Sequence, residues 1–233
     1  MCTVTFFPLP NNNFILTSNR DEQRLRETDP PKKYLEDGVE LLFPKDKLAG
    51  GTWIGTSDKN RLVCVLNGAF EKHKRKSHYK MSRGVIAKEL LKSDNFLNYI
   101  DTIDLNEIEP FTMVIVDWND NELCLCEFVW DEKEKHLKRL ENKPKIWSST
   151  TLYSDEVKKV REIWFQKWLG MNEINSEEIL NFHHSKNGDI KQSIFMKRSY
   201  VETVSITSVK KEKGIIYMSY EDVIHSKNTL KSF

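Results

Sequence analysis

The chain has 233 residues, of which 39% are hydrophobic, 11% aromatic and 30% charged. This composition is typical of an ordinary globular protein and excludes a largely disordered chain. Lys and Arg total 36 against 35 for Asp and Glu, so the near-neutral charge gives no reason to expect a nucleic-acid partner. No apolar run approaches the roughly 18 residues of a membrane-spanning helix and no secretory signal is visible, so we expect no integral membrane segment and a cytoplasmic protein.

The first predicted element is a hairpin. Residues 2–7 are read as a strand, residues 8–13 as a turn rich in Pro and Asn, and residues 14–18 as a second strand. Because the two open ends of a hairpin are neighbours, Cys2 is expected close to the Arg20-Asp21 dipeptide.

The remaining elements alternate between strands and helices. Residues 23–47 are charged and contain prolines, which predicts a long loop or lid over the surface. The predicted elements after it are a hairpin of 50–55 with 61–66 around a turn at 58–60, a helix over 82–99 with Ser82 as its N-cap, a hairpin of 111–117 with 123–130, a helix that begins at Ser154 and ends at Gly170, a helix over 176–183, and a hairpin of 202–209 with 215–220. This order predicts one α+β domain over residues 1–233, with sheets packed together and helices outside.

The helix after Ser154 carries an apolar stripe that is predicted to face the core. The stripe consists of Val157, Val160, Ile163, Trp164 and Trp168.

Four cysteines lie at positions 2, 64, 124 and 126, none of them in a Cys-x-x-Cys spacing. We therefore expect neither a disulfide framework nor a zinc site, and no metal or other cofactor. Cys124 and Cys126 alternate along one predicted strand, so their side chains are expected on the same side.

The run from Lys72 to Lys80 is basic, with a single aromatic residue, Tyr79. Two interpretations stay open: a solvated loop before a helix, or a contact for an anionic substrate or phosphate.

Cys2 is the residue whose chemistry stands out. If Met1 is removed, Cys2 carries both a thiol nucleophile and a free α-amine, whose pKa of about 7.7 to 8.0 suits it to accept the thiol proton. A guanidinium from Arg20 can stabilise negative charge and the Asp21 carboxylate can orient the amine or a substrate amide. Asn67, at the end of a strand before Gly68, can donate an N–H to an oxyanion, or it is simply a turn residue.

Four motifs together resemble the NRDE family, also called the transport and Golgi organisation family. They are Met1-Cys2, Ser18-Asn19-Arg20-Asp21-Glu22, Gly50-Gly51-Thr52-Trp53-Ile54-Gly55 and Leu66-Asn67-Gly68. The resemblance implies a branch of the N-terminal nucleophile (Ntn) hydrolases, with a four-layer αββα sandwich of two antiparallel sheets, similar to the cysteine members that cleave non-peptide amides.

The resemblance also implies roles for single residues. Cys2 takes the nucleophile position, Arg20 and Asp21 flank it, and Asn67 is the oxyanion-type asparagine. Asn19, Gly51, Thr52 and Trp53 are expected to contact the substrate. At the places where the cysteine amidases carry a second asparagine and a later arginine, this chain offers only Ser149 and Arg198.

Two functions follow as hypotheses. The first is an amide hydrolase for a small-molecule amide. The alternative is a non-catalytic carrier or chaperone for an apolar ligand such as haem or a lipid, with His73, His78, His183 and His184 as axial-ligand candidates by residue type alone. The sequence predicts neither the substrate nor the oligomeric state.

Overall fold

The structure, a computed structural model, describes residues 3–119 and 122–233. It divides into two compact units. The first unit is built from both ends of the chain, up to Arg26 and from Lys143 to Ser232, whereas the second comprises Glu27–Asn142 with Phe233. The first unit is therefore discontinuous in sequence, and the second is inserted into it.

The described residues form strands and helices in a mixed order. In chain order these are β1 (Thr3–Leu9), β2 (Asn13–Glu22), β3 (Thr28–Glu36), β4 (Val39–Asp46), β5 (Ile54–Ser57), β6 (Arg61–Asn67), α1 (Arg83–Lys92), α2 (Phe96–Thr102), β7 (Phe111–Asp117), β8 (Cys124–Trp130), β9 (Lys135–Leu140), β10 (Lys145–Ser148), α3 (Asp155–Leu169), α4 (Ser176–His183), β11 (Glu202–Glu212), β12 (Ile215–Asp222) and β13 (Lys227–Ser232).

The sheet of the first unit has the order β10-β1-β2-β11-β12-β13, and every pair in it is antiparallel. Its two central strands, β2 and β11, come from opposite ends of the chain. A core cluster that includes Phe7, Ile15, Phe165 and Phe182 joins this sheet to α3 and α4. Burial of these large apolar side chains is the main force that holds the helices on the sheet.

The sheet of the second unit has the order β3-β4-β5-β6-β7-β8-β9 and is also antiparallel. The helices α1 and α2 pack on one of its faces through a core that includes Leu90, Leu91, Phe111 and Phe128. The α+β class with two antiparallel sheets that the sequence predicts is thus confirmed.

The hairpin predicted at the beginning of the chain is present with longer strands. Pro8 lies inside β1 and pairs with Phe14, so the turn is shorter than the sequence predicts. Asn11 and Asn12 have φ values of 59° and 55°, a left-handed conformation that Asn tolerates better than most residues. The hairpins β5–β6, β7–β8 and β11–β12 are confirmed as well. The residues at the tip of β7–β8, 120 and 121, lie outside the described residues.

The prediction of a long loop over residues 23–47 is wrong, because most of this segment forms the hairpin β3–β4. β3 is the edge strand of its sheet, and Pro30 and Pro31 lie at an irregularity in its register between Asp29 and Lys32. Edges and bulges tolerate proline, since its missing N–H needs no partner there. The charges and prolines thus mark an edge strand and not a lid.

The single helix predicted over residues 82–99 is in fact two helices. Ser93 ends α1 in an extended conformation, and Asn95 starts α2 by accepting a hydrogen bond from the backbone N–H of Asn98. Ser82 precedes α1 as predicted, although its hydroxyl makes no capping hydrogen bond. An apolar pattern continued across the break because α1 and α2 pack on the same sheet.

The apolar stripe predicted for α3 is wrong in part. Val160 and Ile163 are 41% and 64% exposed, whereas Arg161 and Phe165 are fully buried. The pattern assigned every charged residue to solvent, so it missed an arginine on the buried face, one turn before Phe165.

Among the described residues, no helix combines the length and the apolar character that crossing a bilayer requires.

Candidate functional site

The Asn19-Arg20-Asp21 segment lies in the last third of β2, which pairs with β11 along this segment and with β1 at Asn19. Asn19 pairs in register with Thr3 of β1, and Asp21 pairs with Thr203 of β11. Side chains alternate along a strand, so Asn19 and Asp21 share one face of the sheet and Arg20 points to the other. Cys2, the predicted nucleophile, lies outside the described residues, and Thr3 is the first residue after it.

Asp21 is 3% exposed and its carboxylate accepts hydrogen bonds from two hydroxyl groups. The Tyr153 hydroxyl donates to Oδ2 at 3.1 Å, and the Thr203 hydroxyl donates to Oδ1 at 2.6 Å. Thr203 Oγ1 in turn accepts from the backbone N–H of Met196 at 3.0 Å. Both carboxylate oxygens are thus held by side chains from parts of the chain more than a hundred residues away.

Arg161 of α3 is a second buried charge on the same face. Its guanidinium donates to the Thr3 hydroxyl at 2.8 Å, to the Ser148 hydroxyl at 3.3 Å and to the carbonyl oxygens of Gln192 and Ser193. It also lies over the ring of Tyr153, 3.5 Å from the centroid. No ion pair joins it to a carboxylate within residues 3–119 and 122–233, so hydroxyls, carbonyls and an aromatic face surround this cation.

These contacts connect the beginning of β1 to Asp21. Arg161 touches Thr3 at one end and the Tyr153 ring at the other, and the hydroxyl of that ring holds Asp21. Arg161, Tyr153 and Thr203 were not predicted from the sequence as site residues. Their positions in the site depend on contacts between distant parts of the chain, which no local sequence pattern predicts.

Asn19 is fully buried, and its side chain is engaged within the unit. Its Nδ2 donates to the carbonyl oxygens of His183 and Ile194 at 3.0 and 2.9 Å, and its Oδ1 lies 2.6 Å from His183 Nδ1. Since Asn19 Oδ1 can only accept, His183 Nδ1 carries the proton and Nε2 accepts from the Thr5 hydroxyl at 2.7 Å. These contacts fit a role in fastening the end of α4 to β2 better than a role in binding substrate.

His183 is neutral in this environment. Burial lowers its pKa from 6.5 to about 3, helped by the neighbouring His184 and Arg161. Both ring nitrogens are already hydrogen bonded.

Arg20 is buried and donates to the backbone carbonyl of Arg26 at 3.3 Å. It pairs in register with Ser205 of β11. On the same sheet face as Arg20, the hydroxyls of Ser205 and Thr207 are buried and make no hydrogen bond with a described residue. This face of the first unit therefore carries buried polar groups beside Arg20.

Ser149 and Arg198 have different surroundings. Ser149 is buried directly after β10, with its hydroxyl 3.0 Å from that of Thr151. Arg198 donates to the carbonyls of Lys191 and Leu152, and its guanidinium lies 5.2 Å from the Tyr153 ring centroid. Arg198 thus contacts the tyrosine that holds Asp21.

The other predicted site residues belong to the second unit. Asn67 is the last residue of β6 and pairs with Phe111 of β7. Thr52 donates its hydroxyl to backbone carbonyls of its own unit at 2.8 Å, and Trp53 is buried. A Cβ at Gly51 would lie 2.7 Å from the backbone carbon of Gly84, so only glycine fits this approach to α1. Gly51 and Thr52 therefore have structural tasks that account for them without a ligand.

A family model described as Transport and Golgi organisation 2 matches residues 1–219. No curated protein sequence matches the chain.

Solved structures of three amide hydrolases resemble the chain at low sequence identity. A variant of the conjugated bile acid hydrolase from Clostridium perfringens is 10% identical and matches with a TM-score of 0.56 over 100% of this chain and 92% of its own. An N-acylethanolamine-hydrolyzing acid amidase orthologue from Caenorhabditis elegans is 11% identical, with a TM-score of 0.59 over 89% of this chain and 92% of its own. Penicillin V acylase from Agrobacterium tumefaciens is 10% identical, with a TM-score of 0.53 over 98% of this chain and 85% of its own. These likenesses show the fold, and they confirm the Ntn-hydrolase-like class that the sequence predicts.

Proposed function

The chain belongs to the Transport and Golgi organisation 2 family, and from its fold and its site we propose that it is an N-terminal-cysteine amide hydrolase. The bond cleaved is a carbon–nitrogen bond other than a peptide bond, in a small-molecule amide. The three similar structures are of enzymes named for such substrates: a conjugated bile acid, penicillin V and an N-acylethanolamine. Fold alone does not give an activity, so the proposal depends on the site.

The observation that carries the proposal is the environment of Asp21. A carboxylate this deeply buried is retained at a cost in solvation, and here two hydroxyl donors fix both of its oxygens. It lies near the end of β2, whose pairing with β1 aligns Asn19 with Thr3, the residue after the proposed nucleophile. A fixed carboxylate at this position is suited to orient an α-amine that acts as a base.

The proposed reaction has two steps, and water is consumed in the second. After removal of Met1, the Cys2 thiol gives its proton to its own α-amine and attacks the carbonyl carbon, so that a carbon–sulfur bond forms. The carbon–nitrogen bond breaks, the departing amine takes the proton from the α-ammonium group, and a thioester remains. Water adds to the thioester, the carboxylic acid is released and the thiol is restored.

The positive charge of Arg161 supports this proposal. No described carboxylate neutralises it and it contacts the Thr3 hydroxyl, so it raises the local potential at the beginning of β1. A positive potential there favours a thiolate at the preceding residue over a neutral thiol.

The functions of Arg20 in stabilising charge and of Asn67 in binding an oxyanion stay predictions, as do contacts of Gly51, Thr52 and Trp53 with substrate. A cytoplasmic location and a single domain over residues 1–233 stay predictions as well.

The first experiment is to purify the protein from its own host, measure its intact mass and follow brief alkylation with iodoacetamide. We expect loss of Met1 and rapid single labelling at Cys2. Turnover is then assayed on a glycine-conjugated bile acid, penicillin V and an N-acylethanolamine, with Cys2→Ala and Cys64→Ala as the test and control variants. Cys64 is a buried thiol in β6, so its variant controls for loss of a cysteine in general.

The proposal predicts that Cys2→Ala loses at least about 10³-fold in kcat/KM and that Cys64→Ala keeps most of it. A Cys2→Ala variant with full turnover would refute the nucleophile. Retained Met1 would leave the α-amine on the wrong residue and would favour the carrier of haem or lipid-like ligands as the function.

A further inference from the structure

The first unit contains a cavity of about 310 Å³ that shares Met196 and Thr203 with the site described above. It is enclosed by the chain after α4, by the beginning of β11 and by the residues that follow β12. Its volume is at the lower end of the range of small-molecule sites, about 300 to 1,000 Å³.

One side of the cavity is apolar and held in place. Phe195 and Met196 line it together with Ile190 and Ile224. Met196 is fully buried, and the Phe195 ring stacks on His184 with centroids 5.4 Å apart. The surface that would meet the apolar part of a ligand is therefore fixed before a ligand binds, which lowers the entropic cost of binding.

Another part of the cavity lining is cationic. Arg24, Lys186 and Lys197 line it with a single carboxylate, Glu202. Glu202 forms salt bridges with two of these cations, with N–O distances of 3.5 Å to Arg24 and 3.7 Å to Lys197. Lys186 is 5.6 Å from the centre of the Phe195 ring and forms no ion pair with a described carboxylate. Three positive charges against one negative charge leave a surplus that suits an anion.

The rim is ordered by backbone hydrogen bonds. Lys197 and Glu202 pair in a short antiparallel bridge, and the Arg198 N–H donates to the Val201 carbonyl at 2.8 Å. This small hairpin holds the backbone of two of the charged residues in place. The backbone that carries Lys197 and Glu202 is therefore ordered, whereas the side chains of Arg24 and Lys197 are largely exposed.

We propose that this cavity binds a small amphipathic carboxylate, with its apolar chain on Phe195 and Met196 and its anionic group between Lys186 and Lys197. Hydrolytic activity is not needed for this binding. Thr203 also lines the cavity, and the same side chain holds Asp21, so the ligand lies one residue away from the candidate site.

The test uses octanoate as the probe, with octanol and octylamine as the neutral and cationic analogues. Binding is followed by NMR of protein labelled at the methionine methyl groups, in the full-length chain and in Cys2→Ala. We expect octanoate to shift the Met196 methyl signal, which is assigned with the Met196→Leu variant. Binding of octanoate should weaken as salt is added. Octanol and octylamine should bind at least about fivefold more weakly, since they lack the charge that the cationic side attracts.

Three substitutions at exposed or half-buried positions separate the charge effects without disturbing the core. Lys186→Gln should raise the Kd of octanoate about fivefold, the upper end of the effect of one exposed charge pair. Glu202→Gln removes the competing carboxylate and should lower the Kd about threefold. Lys231→Gln, on the exposed strand β13, is the matched control and should leave the Kd unchanged.

Equal affinity for octanoate and octanol, no shift of the Met196 methyl, or a Glu202→Gln variant that binds octanoate more weakly would each overturn the proposal. Binding that persists in Cys2→Ala supports it even if no amide is hydrolysed, so this proposal and the proposed function can fail separately.

Discussion

At the scale of single residues, Asn19, Arg20 and Asp21 have different roles. Asp21 is held by two hydroxyl groups, Asn19 is used to bind backbone carbonyls and a histidine, and Arg20 faces the opposite side of the sheet. Neighbours in sequence thus do different work because a strand alternates its side chains. Only part of a short motif need take part in chemistry.

Tyr153→Phe tests the hold on Asp21 with the loss of a single oxygen atom. The ring stays in contact with Arg161, but Asp21 Oδ2 loses its donor at 3.1 Å. If Asp21 orients the amine, we expect kcat/KM to fall about tenfold to a hundredfold and the pH profile of Cys2 alkylation to shift. Tyr99→Phe, in the second unit, is the matched control. An unchanged rate and an unchanged alkylation profile in Tyr153→Phe would contradict the role given to Asp21.

The lowered pKa of His183 predicts how the stability of the fold depends on pH. Its pKa is about 3 in the folded chain, against an ordinary value of 6.5, so between these values the unfolded chain binds more protons. The stabilisation is complete above about pH 6.5 and is lost as the pH falls towards 3, with a slope of at most about 1.4 kcal/mol per pH unit.

Urea unfolding at a series of pH values measures this slope. In His183→Gln the slope between pH 6.5 and 3 should be shallower, because glutamine does not titrate, whereas the half-exposed His184→Gln should keep it. Parallel curves for the wild type and His183→Gln would show that His183 does not carry the dependence.

At the scale of elements, a buried ion pair fixes the end of α1. Arg61 of β6 is 1% exposed, bonds Asp117 at 2.9 Å and donates to the carbonyl oxygens of Leu90 and Ser93. The first carbonyl belongs to the last turn of α1 and the second to the C-cap residue that follows it, where no further helical donors are available. Burial lowers the pKa of Arg61, and the nearby Asp117 opposes that effect. One arginine thus joins two strands to a helix.

Asp117→Asn should destabilise the chain by about 3 kcal/mol in urea unfolding. This is the low end for breaking a buried ion pair, because Arg61 keeps its bonds to two carbonyls. Asp94→Asn removes an exposed partner of Lys59 and should leave the midpoint nearly unchanged. Equal effects of the two substitutions would mean that burial does not govern the Arg61 pair.

Two predictions from the sequence, the loop at β3 and the apolar stripe of α3, were wrong or partly wrong because they depend on the neighbours of these elements. The edge strand β3 has prolines and charges because one of its sides has no pairing partner, and composition alone cannot tell such a strand from a loop. The buried face of α3 contains Arg161, which a hydrophobic pattern assigns to solvent. Both cases depend on what lies next to the element.

At the scale of the whole molecule, the chain closes on itself in the first unit. β2 and β11 are adjacent strands, although nearly two hundred residues separate paired positions such as Ser18 and Thr207. Loop closure of this length costs entropy before any contact is made, so the pairing needs a large buried surface to stabilise it. The apolar cluster on α3 and α4 supplies that surface.

The sequence was sufficient to predict those features that depend on local patterns and short motifs. It predicted the α+β class, four of the hairpins, the start of α1 and the bounds of α3 and α4, because alternation, turns and caps depend on neighbouring residues. It also pointed to the Ntn-hydrolase-like fold through four motifs in order.

The side chains that surround Asp21 are brought together by folding and were not predicted from the sequence. Tyr153, Arg161 and Thr203 approach β2 through pairings and packing between distant segments, and a carboxylate or a guanidinium is buried only where such partners compensate its lost hydration. That compensation is a property of the folded arrangement, so no local stretch of sequence contains it.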